Sequence, residues 1–302
     1  MRYLLMFLFT IILSRAEPIT PLPQSVPVDM DKATLGKALF FDPTLSRDGT
    51  VSCATCHDIF NGGDDGKRVS TGIGEQNGSV NSPTVLNAVF NFRQFWDGRA
   101  SDLQEQAAGP IENPVEMGNT FPALIKKLQN SHYRTWFARI YKEGITRNSI
   151  TDAIAEFEKT LITPDSPFDR YLRGDKNAIT QKQKEGYEIF KSKGCIACHH
   201  GRNVGGNMYN KFGIILSIKD DNPGRYNITK NPSDKYFFKV PSLRNVTKTA
   251  PYFHNGSVND LRQAVYFMAK HQIGRPISER EVDSIVAFLH ALEGGIPKSV
   301  TE

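Results

Sequence analysis

The chain has no low-complexity tract, no block of like charge and no apolar run long enough to cross a bilayer. Its apolar stretch Leu4 to Leu13 covers about ten residues, where a membrane span needs roughly 20. The formal net charge of +5 is too mild to argue for a nucleic-acid partner. Tryptophan occurs twice and cysteine only four times in 302 residues. All four cysteines are absorbed by one motif, so none is left over for another role.

That motif is Cys53-Ala54-Thr55-Cys56-His57, repeated as Cys195-Ile196-Ala197-Cys198-His199. C-x-x-C-H is the attachment signature of c-type haem. Two thiols three residues apart meet the two vinyl groups of one haem, and the next residue offers its imidazole to the iron. A zinc site or a redox dithiol also uses C-x-x-C. Zinc ribbons need two pairs close together, whereas Cys56 and Cys195 are far apart. A redox dithiol does not require the histidine. The reading is two covalently bound haems.

The N-terminus supports export. Arg2 is a short positive region, Leu4 to Leu13 an apolar core, and Ser14-Arg15-Ala16 ends in a small-x-small pattern, the anatomy of a cleaved signal peptide. Cleavage near Ala16 is expected, with a retained anchor as the competing reading, and the bacterial periplasm as the address. Loss of Arg2 and Arg15 lowers the formal balance to 35 basic against 32 acidic residues, or +3.

A loose internal repeat organises what remains. Gly36 and Phe40 precede the first motif, Gly186 and Phe190 the second, and residues four apart share one helical face. We expect a signal peptide over 1–16, a cytochrome c-like domain over 17–165 and a second over 166–302, joined near residues 165–174. Ile150, Ile154, Phe157 and Leu161 recur at helical spacing, as do Val282, Ile285, Val286 and Leu289 behind the capping box Ser278 to Glu281. Thr180 and Gln183 open the helix that carries Phe190. The stretches 61–83 and 201–241 are rich in Gly, Asn and Pro. The expected class is mainly α, with long irregular loops and little strand.

From Leu35 to Pro297 the chain resembles the bacterial di-haem cytochrome c peroxidases. The resemblance rests on Leu35 to Pro43, Asn81-Ser82-Pro83-Thr84, Gln94 to Ala100, Asn113-Pro114-Val115-Glu116-Met117, Ser166 to Tyr171, Val240 to Asn245 and Thr249 to His254. It implies reduction of hydrogen peroxide to water with electrons from a small periplasmic redox protein, either a small cytochrome c or a blue copper protein. It also implies a homodimer. The haem on His57 is then the peroxidatic one, with Glu116 as the acid/base and Gln106 positioning the substrate. Cleaving an O–O bond needs a group that moves a proton between the two oxygens, which suits a carboxylate; an ordinary surface carboxylate and amide are the plainer readings.

The haem on His199 becomes the electron-entry site, with Met268 as its thioether ligand. Soft sulfur raises the potential of haem iron. His271, three residues on, is the rival ligand, and a simple core role is the alternative for Met268. Trp96 is placed between the haems. Asn81, Thr249 and Pro251 match positions that hold a calcium ion, a hard cation suited to amide and carbonyl oxygens.

One departure bears on mechanism. Many relatives carry a loop histidine that blocks the peroxidatic iron; counting without a gap from His57 to Asn81 puts Ile73 there, and no histidine lies between His57 and His132. A smaller departure is Asn255, where relatives usually have aspartate. His200 and His290 are read as surface or structural.

Two rival functions stand beside the peroxidase. One is a di-haem enzyme oxidising a protein substrate, similar to the one that matures tryptophan tryptophylquinone, which carries tyrosine where this chain has Met268. The other is a plain electron carrier, for which Met117 would have to serve as a second ligand to the first iron.

Overall fold

The computed structural model describes residues 17–301, so the expected signal peptide over 1–16 lies outside them. The architecture is mainly α. In chain order the helices are α1 (Met30–Phe41), α2 (Cys53–Cys56), α3 (Leu103–Glu112), α4 (Phe121–Gln129), α5 (Tyr133–Ile140) and α6 (Arg147–Lys159). They continue as α7 (Pro167–Leu172), α8 (Gln181–Lys193), α9 (Tyr226–Thr229), α10 (Leu261–Phe267), α11 (Glu279–His290) and α12 (Lys298–Thr301). The one sheet among the described residues pairs β1 (Tyr209–Lys211) antiparallel with β2 (Phe237–Lys239), Tyr209 opposite Lys239. No described helix is long and apolar enough to cross a membrane.

The glycine–phenylalanine repeat is a repeated helix crossing. α1 lies on α6 with Gly36 against the Ala153 carbonyl, where any Cβ would collide with backbone. One turn on, Phe40 meets Phe157 edge-to-face at 5.3 Å. α8 lies on α11 in the same way, Gly186 against the Ser284 carbonyl and Phe190 at 5.2 Å from Phe288. Close backbone approach is what a missing side chain permits, and the aromatic pair then seals the crossing. The capping box that opens α11 forms as expected, with Ser278 N–H donating to Glu281 at 2.9 Å and Glu281 N–H to Ser278 at 3.3 Å.

Two separate cores follow. One gathers Leu35, Leu39, Ile73, Ile111, Met117, Phe137 and Ile154; the other Phe168, Tyr187, Phe190, Ile285 and Phe288. The first draws on residues 35–154 and the second mainly on residues 168–292, but both chain ends cross over. Ile19 is buried in the second core, Tyr187 donates to the Glu17 carboxylate at 2.6 Å, and Leu22 N–H donates to Asp169 at 3.0 Å. Conversely Val300 packs on the Phe40–Phe157 cluster, and Lys37 donates to the Ser299 carbonyl at 2.7 Å.

Candidate functional site

Each C-x-x-C-H segment is a single tight turn set against a loop that holds its histidine. Cys53 and Cys56 occupy α2, capped by Ser52 and Thr55, and Cys195 opens the corresponding 3-10 turn. Residues three apart on such a turn face one way. All four thiols are free and half-buried. His57 Nδ1 lies 3.2 Å from the Gly63 carbonyl, and His199 Nδ1 lies 3.3 Å from the Val204 carbonyl. A ring proton directed at a carbonyl sits on Nδ1 and leaves the Nε2 lone pair free for a metal. Burial pushes both imidazoles below the ordinary histidine range, His199 to about 4. Both are neutral near pH 7, the state in which imidazole ligates iron.

The two halves hold these loops by the same device, which the sequence reading missed. Thr84 Oγ1 donates to the Gly62 carbonyl at 2.6 Å, and Val85 N–H donates to Gly63 at 3.0 Å. In the second half Ser242 Oγ donates to the Asn203 carbonyl at 2.7 Å, and Leu243 N–H to Val204 at 3.2 Å. Pro83-Thr84-Val85 and Pro241-Ser242-Leu243 are therefore equivalent, each followed by an asparagine in the left-handed region, Asn87 and Asn245. The signal was a Pro-hydroxyl-aliphatic triplet after each haem motif.

Around His57, the turn Asn113 to Met117 follows α3 directly. Asn113 Nδ2 donates to Glu116 Oε1 at 2.6 Å. Burial raises the Glu116 carboxyl above the usual range, opposed by that hydrogen bond and by Arg99. Gln106 is half-buried on α3. Ile73 is fully buried in the first core beside Met117, and its N–H donates to the Glu116 carbonyl at 2.8 Å. Gly72 lies so close to the Val115 and Glu116 carbonyls that no side chain fits there. The loop after the first motif is thus clamped to the turn that carries Glu116. Met117, the candidate second ligand of the carrier reading, is 2 % exposed and is spent on core packing.

Around His199 the structure shows a cavity of about 440 Å³, within the usual size of a cofactor pocket. Cys195, Cys198 and His199 line it together with Met268, Trp96, Asn81, Thr249 and Pro251. Met268 begins a π-helical turn, Met268–Ile273, that continues α10; such widened turns recur at functional sites. His271 lies on the other side of it. Its ring stacks on Phe267 at 4.5 Å, its Nδ1 is 3.1 Å from the Leu216 carbonyl, and it lines a separate surface groove. Trp96 sits at the seam: its indole N–H donates to the Asn81 carbonyl at 2.9 Å, and its own carbonyl accepts from Lys239 N–H at 2.7 Å. Asn81 Nδ2 donates to the Lys67 carbonyl at 2.8 Å. Among the described residues no donor reaches Asn81 Oδ1 or the Thr249 and Pro251 carbonyls, and no cluster of His, Cys, Asp or Glu forms a metal cage.

His254 is buried, its ring stacked at 3.9 Å on Phe238 and its Nε2 2.7 Å from Asp220, off the line of a hydrogen bond. His290 is exposed and pairs with Glu293 at 2.6 Å. His200 is 3.1 Å from the Asn207 amide.

Paired thiols, a neutral buried imidazole and an enclosing pocket are what a covalently held haem requires, and the second half presents all three. Comparison with known proteins agrees. Residues 30–177 match the family model described as di-haem cytochrome c peroxidase. The chain is 50% identical over 287 residues to the cytochrome c peroxidase Ccp of Escherichia coli (strain K12), covering 93% of this chain and 62% of that longer protein. It is 47% identical over 296 residues to the cytochrome c551 peroxidase of Nitrosomonas europaea, covering 97% of this chain and 89% of that one. A solved MauG-like protein associated with microbial copper homeostasis superposes with a TM-score of 0.79 at 25% identity, over 95% of this chain and 96% of that one. The two haem motifs, their matched loops and this similarity along nearly the whole chain place the protein in the di-haem cytochrome c peroxidase family.

Proposed function

We propose that the protein reduces hydrogen peroxide to two waters in the periplasm, consuming two protons and two electrons per turnover. The electrons come one at a time from a small cytochrome c or blue copper protein, and the working unit is a homodimer. Two haems bound through Cys53/Cys56 and Cys195/Cys198 supply the iron chemistry. His57 and His199 would ligate the irons, and Met268, which lines the same cavity as His199, would be a thioether ligand of the second haem. Glu116 takes a proton from one peroxide oxygen and returns it to the departing one, while the Gln106 amide holds the peroxide by a hydrogen bond. Trp96 lies in the electron path between the halves.

The observation that carries this reading is the Glu116 carboxyl. It is desolvated and held by Asn113 on the turn after α3, the sequence carries no histidine between His57 and His132, and the neighbouring Met117 is buried in the core. The test is Glu116→Gln in the haem-loaded protein, assayed for peroxide-dependent oxidation of a reduced cytochrome c. Loss of turnover with haem content intact supports the role; unchanged turnover refutes it. A calcium ion held by Asn81 Oδ1 and the Thr249 and Pro251 carbonyls, completed by water, belongs to the same proposal. With no carboxylate ligand the site is weak, so a chelator removes the ion readily. Burial of Ile73 favours one further reading, oxidation of a protein substrate at an iron that needs no prior reduction, against which Met268 stands where that enzyme has tyrosine.

A further inference from the structure

We propose that Lys239 is the counter-ion for a carboxylate of the haem carried by His199, and that it holds this haem's potential above that of the haem on His57. The assignment rests on the reading of a second haem given above. Lys239 is 5 % exposed and is one of the residues lining the His199 cavity. Among the described residues no carboxylate pairs with it and burial is the only influence on its ammonium, and neither Asp nor Glu lines the cavity. Lys193, Lys211 and Arg275 add cationic lining. Lys193 is already paired with Glu281 at 2.8 Å, and Arg275 donates to the Ser192 carbonyl at 3.0 Å. A buried ammonium without a partner is costly, and burial alone pulls Lys239 down to about 8. The group that enters this cavity brings two propionate carboxylates of its own. The cavity therefore has the charge of a site built for a carboxylate-bearing ligand, with Lys239 as its buried contact.

The pseudo-symmetry of the halves sharpens the point. Lys239 stands two residues before Pro241, as Asn81 stands two before Pro83. Both flank Trp96, Asn81 accepting from its indole and Lys239 donating to its carbonyl. One half thus has a neutral amide where the other has a cation. A cation beside a haem disfavours the oxidised, more positive iron and raises its reduction potential. Electrons then rest on the second haem.

The test is spectroelectrochemistry of the two-haem protein, following the methionine-ligated haem in wild type, Lys239→Gln and Lys239→Arg, with haem content checked in each. Lys239→Gln is expected to lower the midpoint of that haem and leave the other nearly in place, while Lys239→Arg keeps it near wild type. An unmoved midpoint in Lys239→Gln overturns the proposal. Should Lys239→Gln fail to retain haem, Lys239→Arg still decides: a changed propionate-bending band in its resonance Raman spectrum supports the contact, and an unchanged band overturns it. Two haems and ordinary peroxide turnover with an unmoved potential reject only the Lys239 assignment, whereas a single haem rejects the reading beneath it.

Discussion

At the scale of single residues, the chemistry turns on what is kept neutral and what is kept away. Burial alone makes His57 and His199 ready ligands. It also lifts the Glu116 carboxyl, so the form that accepts a proton is lost at a higher pH than for an exposed glutamate. Peroxide turnover is therefore expected to fall on acidification through that raised value. Glu116→Gln, which removes the proton acceptor, should lose roughly 10²–10⁴-fold in rate and the acidic limb with it, as steady-state assays across pH would show. Ile73 bears on the resting state. With that side chain in the core and no histidine between His57 and His132, the oxidised protein is expected to show a high-spin ferric signal and to react with peroxide before any reduction. Electron spin resonance that finds two low-spin haems in the fully oxidised protein contradicts this.

At the scale of elements, the fold is one helix crossing used twice, and each crossing is fixed by a glycine. Gly36→Ala and Gly186→Ala force a Cβ into the carbonyl of the facing helix. Overpacking of this kind costs typically 1–3 kcal/mol or more, so each variant should melt earlier than the parent in calorimetry, whereas Gly295→Ala, with open space around it, should not. The π-turn makes a second prediction. Met268→Ala is expected to abolish the far-red absorption of methionine-ligated ferric haem, and His271→Ala to keep it. The Gly–Phe repeat was legible in the sequence because residues four apart share a face wherever a helix forms, whereas the helix each face crosses was not, because that partner lies about 100 residues further along the chain. The capping box at Ser278 was legible for the same local reason. The Pro-hydroxyl-aliphatic triplets were overlooked because their meaning is a hydrogen bond to a loop about 20 to 40 residues earlier. Helical spacing alone did not separate Met268 from His271, and the preference for Met268 came from the resemblance. In a regular helix they lie one turn apart on neighbouring faces, and only the widened turn sends them to different pockets.

At the scale of the whole molecule, the two haem halves are tied by the crossing of the chain's ends, and the N-terminal strap around Leu22 is fastened to the second half by one buried ion pair. Asp169 and Arg244 come from the two segments Ser166 to Tyr171 and Val240 to Asn245, which sequence alone marked out without a role. They form a bidentate pair at 2.9 and 2.9 Å with both side chains fully buried. Asp169 also accepts from Leu22 N–H and Ser166 Oγ, while Arg244 donates to the Arg202 carbonyl at 2.6 Å, in the loop that follows the second haem motif. The pair thus pins the N-terminal strap, α7 and the loop whose Val204 carbonyl orients His199. A buried pair is a poor source of net stability, because desolvation offsets the attraction, but removing one partner strands a charge. Asp169→Ala is therefore expected to cost about 3–5 kcal/mol and to shift the denaturant midpoint of the haem-loaded protein sharply downward. The double variant Asp169→Leu with Arg244→Met leaves no stranded charge and should recover most of that loss. If the double variant recovers nothing in denaturant titration, the cost lies in the lost hydrogen bonds to Leu22 and Arg202 and not in an uncompensated guanidinium.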